Sequence, residues 1–177
     1  MKIIKVKQTI EEDICVFKLN ENNEELKRCV YDRGDEMKSS TNIKALMTGY
    51  RTFDVPFRKL GYSILQRFPD FLRTYVSNHE ELDIRPEIVN MWGAAYKGNN
   101  LDHTIPHRHL TFFCGFCYYV EAPSNCAPIE FPNTFGKYKI YPETGDLIMF
   151  GGHLQHSVPT AIHDGERIVI AGNIRLL

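Results

Sequence analysis

Between Pro56 and Phe68 the apolar residues Phe57, Leu60, Ile64, Leu65 and Phe68 recur at i, i+3, i+7, i+8 and i+11, one stripe of a helix. Pro56 suits a first helical position, where its missing N–H is not needed. Pro69 is expected to break or restart the helix, with Phe71, Leu72, Tyr75 and Val76 continuing an apolar face beyond it. Pro86 is expected to end the helical region. From Ile88 to Leu177 strand signals take over: Phe112–Tyr119 is apolar and aromatic, and Arg167–Asn173 contains the core-strand run Ile168-Val169-Ile170. A helix with one apolar stripe has to cover something, and a sheet face is the natural surface. The beginning of the chain reads more weakly. Ile4, Val6 and Gln8 alternate with Lys5 and Lys7, which predicts a strand over residues 1–10. Asp13–Leu19 reads as a second strand or a short helix, and Glu21–Ser40 is polar, with helical segments and a loop near Gly34. The pattern assigns no role to residues 11–55.

Composition narrows the class without naming a function. A chain of 177 residues with 43 % hydrophobic and 24 % charged residues is ordinary for one globular domain with a substantial core. A net charge of −1 gives no footprint for nucleic acid or an anionic membrane. No apolar run approaches a membrane span, and Met1–Lys7 lacks the apolar core of a signal peptide, so a cytoplasmic location is expected. Five cysteines, an odd number, fit a reducing compartment. Cys114 and Cys117 form a CxxC, but inside an apolar strand a spacing of three puts them on opposite faces, so core packing is the better account.

Candidate chemistry gathers in the strand region. His107 and His109, in Pro106-His107-Arg108-His109, share a face if that stretch is a strand. Two imidazoles on one face can hold one metal ion, and a third from a neighbouring strand would close one face of an octahedron. His156 is the candidate for that third position. It follows a Pro-x-x-Gly-Asp turn (Pro142–Asp146), the apolar strand Leu147–Phe150 and the glycine turn Gly151-Gly152. Arg167 then opens the strand Arg167–Asn173. An inward guanidinium on a core strand needs a partner, and a carboxylate ligand is the natural one. Asn173 shares the face of Arg167, because six is an even spacing.

These motifs resemble the double-stranded β-helix of the Fe(II)- and 2-oxoglutarate-dependent oxygenases. The resemblance is to small phage- and bacterial-type members distantly similar to prolyl hydroxylases, and it covers Ile88–Leu177, with Asn42–Thr48 also similar to the phage-type group. It implies a mainly β, jelly-roll fold with flanking N-terminal helices in a single domain over 1–177, residues 1–87 forming an N-terminal strand and helical flank and 88–177 the β-helix core. It further implies Fe(II), 2-oxoglutarate and O2 as cofactor and cosubstrates, with His107 and His156 as metal ligands and Arg167 on the C5 carboxylate of 2-oxoglutarate. Met91–Gly98 resembles the strand before the metal motif in prolyl hydroxylases, which nominates Tyr96 as facing the cosubstrate. Cys117–Val120 resembles their Tyr-Tyr-Leu strand and nominates Tyr119 for the same carboxylate. Asn173 would donate to the cosubstrate or orient a ligand.

One position departs from the prolyl hydroxylase pattern. His-x-Asp there is His107-x-His109 here, which makes His109 the third ligand, as the phage-type group also tends to read. Glu130 or Asp102 is the alternative carboxylate ligand, although Ile129 and Phe131 have the better claim to the core, which turns Glu130 outward. The implied reaction is hydroxylation of an unactivated C–H of a peptide, amino acid or small metabolite, with a proline the first trial. Two other readings stand beside it. A three-histidine cupin dioxygenase without an oxoacid shares the Pro-x-x-Gly-Asp turn and the late histidine but has no use for Arg167, and a non-catalytic β-helix module would bind a ligand or partner without iron.

Overall fold

The computed structural model describes residues 13–34, 41–75, 83–99, 101–133 and 136–177. The strand expected over residues 1–10 and the apolar position Val76 lie outside the described residues. In chain order the elements are β1 (Ile14–Lys18), α1 (Asn23–Asp32), β2 (Ile43–Lys44), β3 (Leu46–Met47), α2 (Val55–Leu72), β4 (Pro86–Lys97), β5 (His103–His107), β6 (Cys114–Glu121), β7 (Ile129–Asn133), β8 (Gly136–Ile140), β9 (Asp146–Gly151), β10 (His156–Val158) and β11 (Glu166–Leu176). They form a six-stranded sheet of order β1-β9-β6-β11-β4-β3 facing a five-stranded sheet of order β2-β5-β10-β7-β8, paired antiparallel. The fold is a mainly β double-stranded β-helix with helices against one face.

Strand periodicity decides which side chains meet. On β11, Ile168, Ile170 and Ile174 point outward, with Phe116, Tyr118 and Val120 of β6 and Leu147 and Met149 of β9. Over them lie Leu26 and Val30 of α1 and the α2 stripe Phe57, Leu60, Ile64, Phe68, Phe71 and Leu72. Each of these buried side chains contributes roughly 1.5–3 kcal/mol by leaving water. The alternate residues of the same strands, Ala94, Tyr96, Tyr119, Ile148, Phe150 and Val169, face inward toward Ile129, Phe131 and Val158 of the smaller sheet. Cys114 joins the helix-side core and Cys117 the inner one, opposite faces of one strand.

One local expectation changes, and two open ones are resolved. α2 runs through Pro69 to Leu72 instead of stopping. Proline removes one backbone donor within the last turn, while Phe68, Phe71 and Leu72 stay buried against the sheet, and the Pro69 carbonyl still accepts from the Arg73 N–H at 3.1 Å. Asp13–Leu19 resolves into a strand because Ile14–Lys18 pairs along β9 from Phe150 to Asp146. Asn42–Thr48, without a role in the pattern, stitches the sheets together. Ile43 and Lys44 pair with β5 on one sheet, and Leu46 and Met47 pair with β4 on the other. No described helix is long and apolar enough to cross a membrane.

Candidate metal and cosubstrate site

The histidine cluster is assembled by two short strands and one loop. His156 of β10 stands directly across from His107 of β5, ring centroids 4.3 Å apart. The expected shared strand face of His107 and His109 does not form, because β5 ends at His107 and His109 lies in the loop after it. Backbone contacts bring His109 back to the same point. Its N–H donates to the Gly152 carbonyl at 2.8 Å, and its carbonyl accepts from Phe112 N–H at 2.9 Å. Gly152 is required there, since a Cβ would lie 2.1 Å from the Phe112 carbonyl oxygen and 2.7 Å from that of His109.

The three rings offer their nitrogens to one another, all within 4.8 Å. His109 Nε2 and His156 Nε2 are 3.4 Å apart, close to the roughly 3 Å between adjacent nitrogens on one metal at ordinary metal–imidazole distances. The widest of the three spacings has to contract when an ion is held. His107 Nδ1 lies 2.9 Å from the Ile105 carbonyl and His156 Nδ1 lies 3.2 Å from the Leu154 carbonyl. A carbonyl only accepts, so each Nδ1 carries the proton and each Nε2 keeps its lone pair for the cluster, the usual outer support of a metal-binding histidine. Burial holds all three rings neutral. It lowers His107; it lowers His109 to about 4, with His107 adding to the effect, and His156 to about 3, with His107 and His109 adding. Phe150 and Phe131 pack on His156 at 4.6 and 6.1 Å, and Trp92 stacks on His109 at 6.3 Å.

Neither carboxylate alternative joins this group. Glu130 faces outward between Ile129 and Phe131 and is bridged by Lys137 and Lys139. Burial works against its ionisation, but the two lysines more than offset this and hold its carboxyl below the usual range. Asp102 instead accepts the backbone N–H of Lys97 at 2.7 Å. Of the other histidines, His103 turns to the Leu101 carbonyl, His163 is buried outside the trio, and His79 lies outside the described residues.

Arg167 belongs to the same cavity, which His107, His109, His156, Tyr96, Thr104 and Trp92 also line. Its side chain is enclosed, 1 % exposed. The reason is its position at the second residue of β11, a strand covered on both edges by β4 and β6. Nη2 donates to the Tyr119 hydroxyl at 3.1 Å, and the guanidinium carbon lies 4.7 Å from the Tyr96 ring centre and 5.0 Å from that of Tyr119. Nε and Nη1 have no hydrogen-bond partner, and no carboxylate pairs with Arg167 among the described residues. Tyr96 Oη shares a hydrogen bond with Thr104 Oγ1 at 2.7 Å. Burial raises the pKa of both tyrosines, against the pull of Arg167, so both hydroxyls stay protonated. A buried guanidinium with two idle donors is costly unless an anion reaches it.

Asn173 shares the inner face of β11 with Arg167, Val169 and Ala171, as parity requires, but lies about 20 Å along the strand from Arg167 at ordinary strand rise. Its amide nitrogen donates to Asn90 Oδ1 at 2.8 Å, and its own Oδ1 is buried without a partner among the described residues. Sequence reasoning overlooked Trp92, Thr104 and Cys117. For Trp92 the signal was available: it lies four residues before Tyr96 on one strand and therefore on the same face. Thr104 and Cys117 carry no such mark, since a threonine or cysteine in a strand is ordinary.

No protein-family model matches the chain, and no curated protein matches its sequence. Solved structures do. A Pseudomonas putida prolyl-4-hydroxylase superposes with a TM-score of 0.65 at 12 % identity, covering 93 % of this chain and 92 % of that one. A viral collagen prolyl hydroxylase of Paramecium bursaria Chlorella virus-1, solved with 2-oxoglutarate, gives 0.63 at 16 % identity, covering 91 % and 94 %. HygX of Streptomyces hygroscopicus, solved with nickel and 2-oxoglutarate, gives 0.64 at 10 % identity, covering 92 % and 82 %. At these identities the likeness establishes architecture: across nearly its whole length the chain has the fold of the 2-oxoglutarate/Fe(II) oxygenases.

Proposed function

We propose that the protein is an Fe(II)- and 2-oxoglutarate-dependent dioxygenase that hydroxylates an unactivated C–H bond of a peptide, amino acid or small metabolite. The observation that carries this reading is Arg167, a buried guanidinium with two idle donors in the same cavity as three neutral imidazoles. His107, His109 and His156 would hold the iron through nitrogen atoms, and Arg167 would grip the far carboxylate of the oxoacid through charge-assisted hydrogen bonds. Held there, the metal and oxoacid would supply O2 activation by oxidative decarboxylation, with succinate and CO2 as products beside the hydroxylated substrate.

The chain's own residues bind, orient and exclude. Tyr119, which accepts from Arg167, would donate its own hydroxyl proton to that carboxylate, and Tyr96, tied to Thr104, would close the other flank. Ile105 and Leu154 carbonyls fix the tautomers of His107 and His156. Ile129, Phe150, Val158 and Val169 form dry walls between the histidines and Arg167. No side-chain acid or base beyond the metal site is required. The absence of a carboxylate from the trio favours a second reading, a three-histidine dioxygenase that needs no oxoacid; the buried Arg167 argues against it. Anaerobic addition of Fe(II) and then 2-oxoglutarate to purified protein tests the choice. The oxoacid reading expects a weak visible charge-transfer band on the second addition, whereas a site that takes iron but develops no band supports the second reading.

A further inference from the structure

At the end of the inner face away from Arg167, two buried polar atoms of opposite kind have no hydrogen-bond partner among the described residues: Trp92 Nε1, a donor, and Asn173 Oδ1, an acceptor. The register makes them neighbours. Trp92 pairs with Ala171 and Asn90 with Asn173, so Trp92 and Asn173 are diagonal on one face of the β4–β11 pair. Across from Asn173 on β6 is Gly115, where a Cβ would lie 3.6 Å from His109 Cδ2. Trp92 itself stacks on His109. Both residues therefore lie close to His109 of the cluster. A five-carbon diacid anchored on Arg167 spans well under half of the roughly 20 Å that separates Arg167 from Asn173. These groups belong to whatever approaches from the other side.

We propose that Trp92 and Asn173 form a subsite for an amide of the substrate, its carbonyl accepting from Trp92 Nε1–H and its N–H donating to Asn173 Oδ1. Chemistry excludes the simpler ions. A carboxylate has no hydrogen for Asn173, and an ammonium or guanidinium has no lone pair for Trp92. The surroundings supply no substitute, since Trp92 is enclosed by Met47, Ala171, Ile43 and Cys117, and Asn90 already occupies the amide nitrogen of Asn173. Leaving both groups unmet in an apolar setting is unfavourable, so a ligand offering both partners gains twice. The amide sits next to His109, so the carbon presented to the metal is close to that amide. The chemistry at the metal rests on the oxygenase reading; the amide contact does not depend on it.

The chain contains a single tryptophan, so its spectrum holds one indole N–H signal, and that signal belongs to the subsite. The full-length protein, 15N-labelled with Zn(II) added, is titrated separately with N-methylacetamide, acetamide, N,N-dimethylacetamide, methyl acetate and isopropanol. The proposal expects N-methylacetamide or acetamide to move the indole proton downfield and to saturate at about threefold to tenfold lower concentration than the two acceptors without N–H. Whichever of the two leads distinguishes a backbone amide from a carboxamide. Asn173→Leu should erase the advantage and leave the N,N-dimethylacetamide response in place; if that variant does not fold, the ranking on wild type decides alone. Equal responses to all five compounds, isopropanol leading, or no response at all, as when water alone fills the space, would overturn the proposal. 2-Oxoglutarate added to the same sample should move the Arg167 Nε–H signal. Its failure to do so would count against the oxygenase reading and leave the amide result untouched.

Discussion

The two walls of the cavity are built in opposite ways. Arg167 sits on an eleven-residue strand paired on both edges, across from Tyr96 of β4, while Tyr119, across from Val169 on β6, brings its ring to 5.0 Å from the guanidinium carbon. The histidines come from a five-residue strand, a three-residue strand and a loop, and the pairing of β10 with β5 is irregular between His156 and Val158. The long wall holds a permanent charge that cannot leave; the short wall holds neutral groups that must draw closer together to share an ion. An anion anchor tolerates no slack, because its cost when unpaired is constant. A metal site assembled from short pieces can let the ion complete it, since binding and local ordering are linked.

The comparison breaks most plainly at the short wall. His107→Ala, His109→Ala and His156→Ala should each lose more metal affinity than the 10–100-fold that loss of an outer hydrogen-bonding partner typically costs. Glu130→Ala and Asp102→Ala should leave metal binding unchanged, because both carboxylates are engaged elsewhere. Equilibrium dialysis with Fe(II) or Mn(II) measures this, and iron lost from Glu130→Ala but retained by His109→Ala would reverse the ligand assignment.

At the long wall, Arg167→Ala should weaken 2-oxoglutarate by about two to three orders of magnitude, the equivalent of two charge-assisted hydrogen bonds of roughly 1.5–3 kcal/mol each with part returned by water. Metal affinity should not change. Arg167→Lys should recover only part, since a point charge cannot make the two-pronged contact. A variant that loses metal and oxoacid together would mean that the two walls are not separable.

The smallest effect is on pH dependence. His156 and His109 are pushed down by burial first and by neighbouring imidazoles second, to about 3 and about 4 against an ordinary 6.5. Below pH 6.5 the unfolded chain therefore takes up protons that the metal-free folded chain refuses. The stability contributed by the neutral rings is complete above that value and is lost as pH falls toward about 3. Thermal unfolding of metal-free protein should show a falling midpoint across this window, and His156→Leu should flatten it. An unchanged slope in that variant would mean that His156 protonates freely in the folded state.

Much of the long wall was legible in advance. A charged residue heading Ile168-Val169-Ile170 had to be either paired or costly, and the resemblance to prolyl hydroxylase strands nominated Tyr96 and Tyr119, which lie on the inner face against Arg167. The short wall was legible in its residues but not in its construction. Parity carries His107 to His109 only while the strand lasts, and nothing periodic announces that β5 stops at His107 and that Gly152 draws the loop back. The two-residue strands β2 and β3 are too short for any periodicity, and Pro69 continues the helix because tertiary burial of Phe71 and Leu72 outweighs one missing donor.

The central claim is that an oxoacid belongs between these walls, and calorimetric titration of metal-loaded wild-type protein with 2-oxoglutarate in the absence of oxygen tests it most directly. The account predicts saturable binding at one site per chain that is strongly reduced in Arg167→Ala at unchanged metal content. Full metal occupancy with no heat of 2-oxoglutarate binding in the wild type would contradict it.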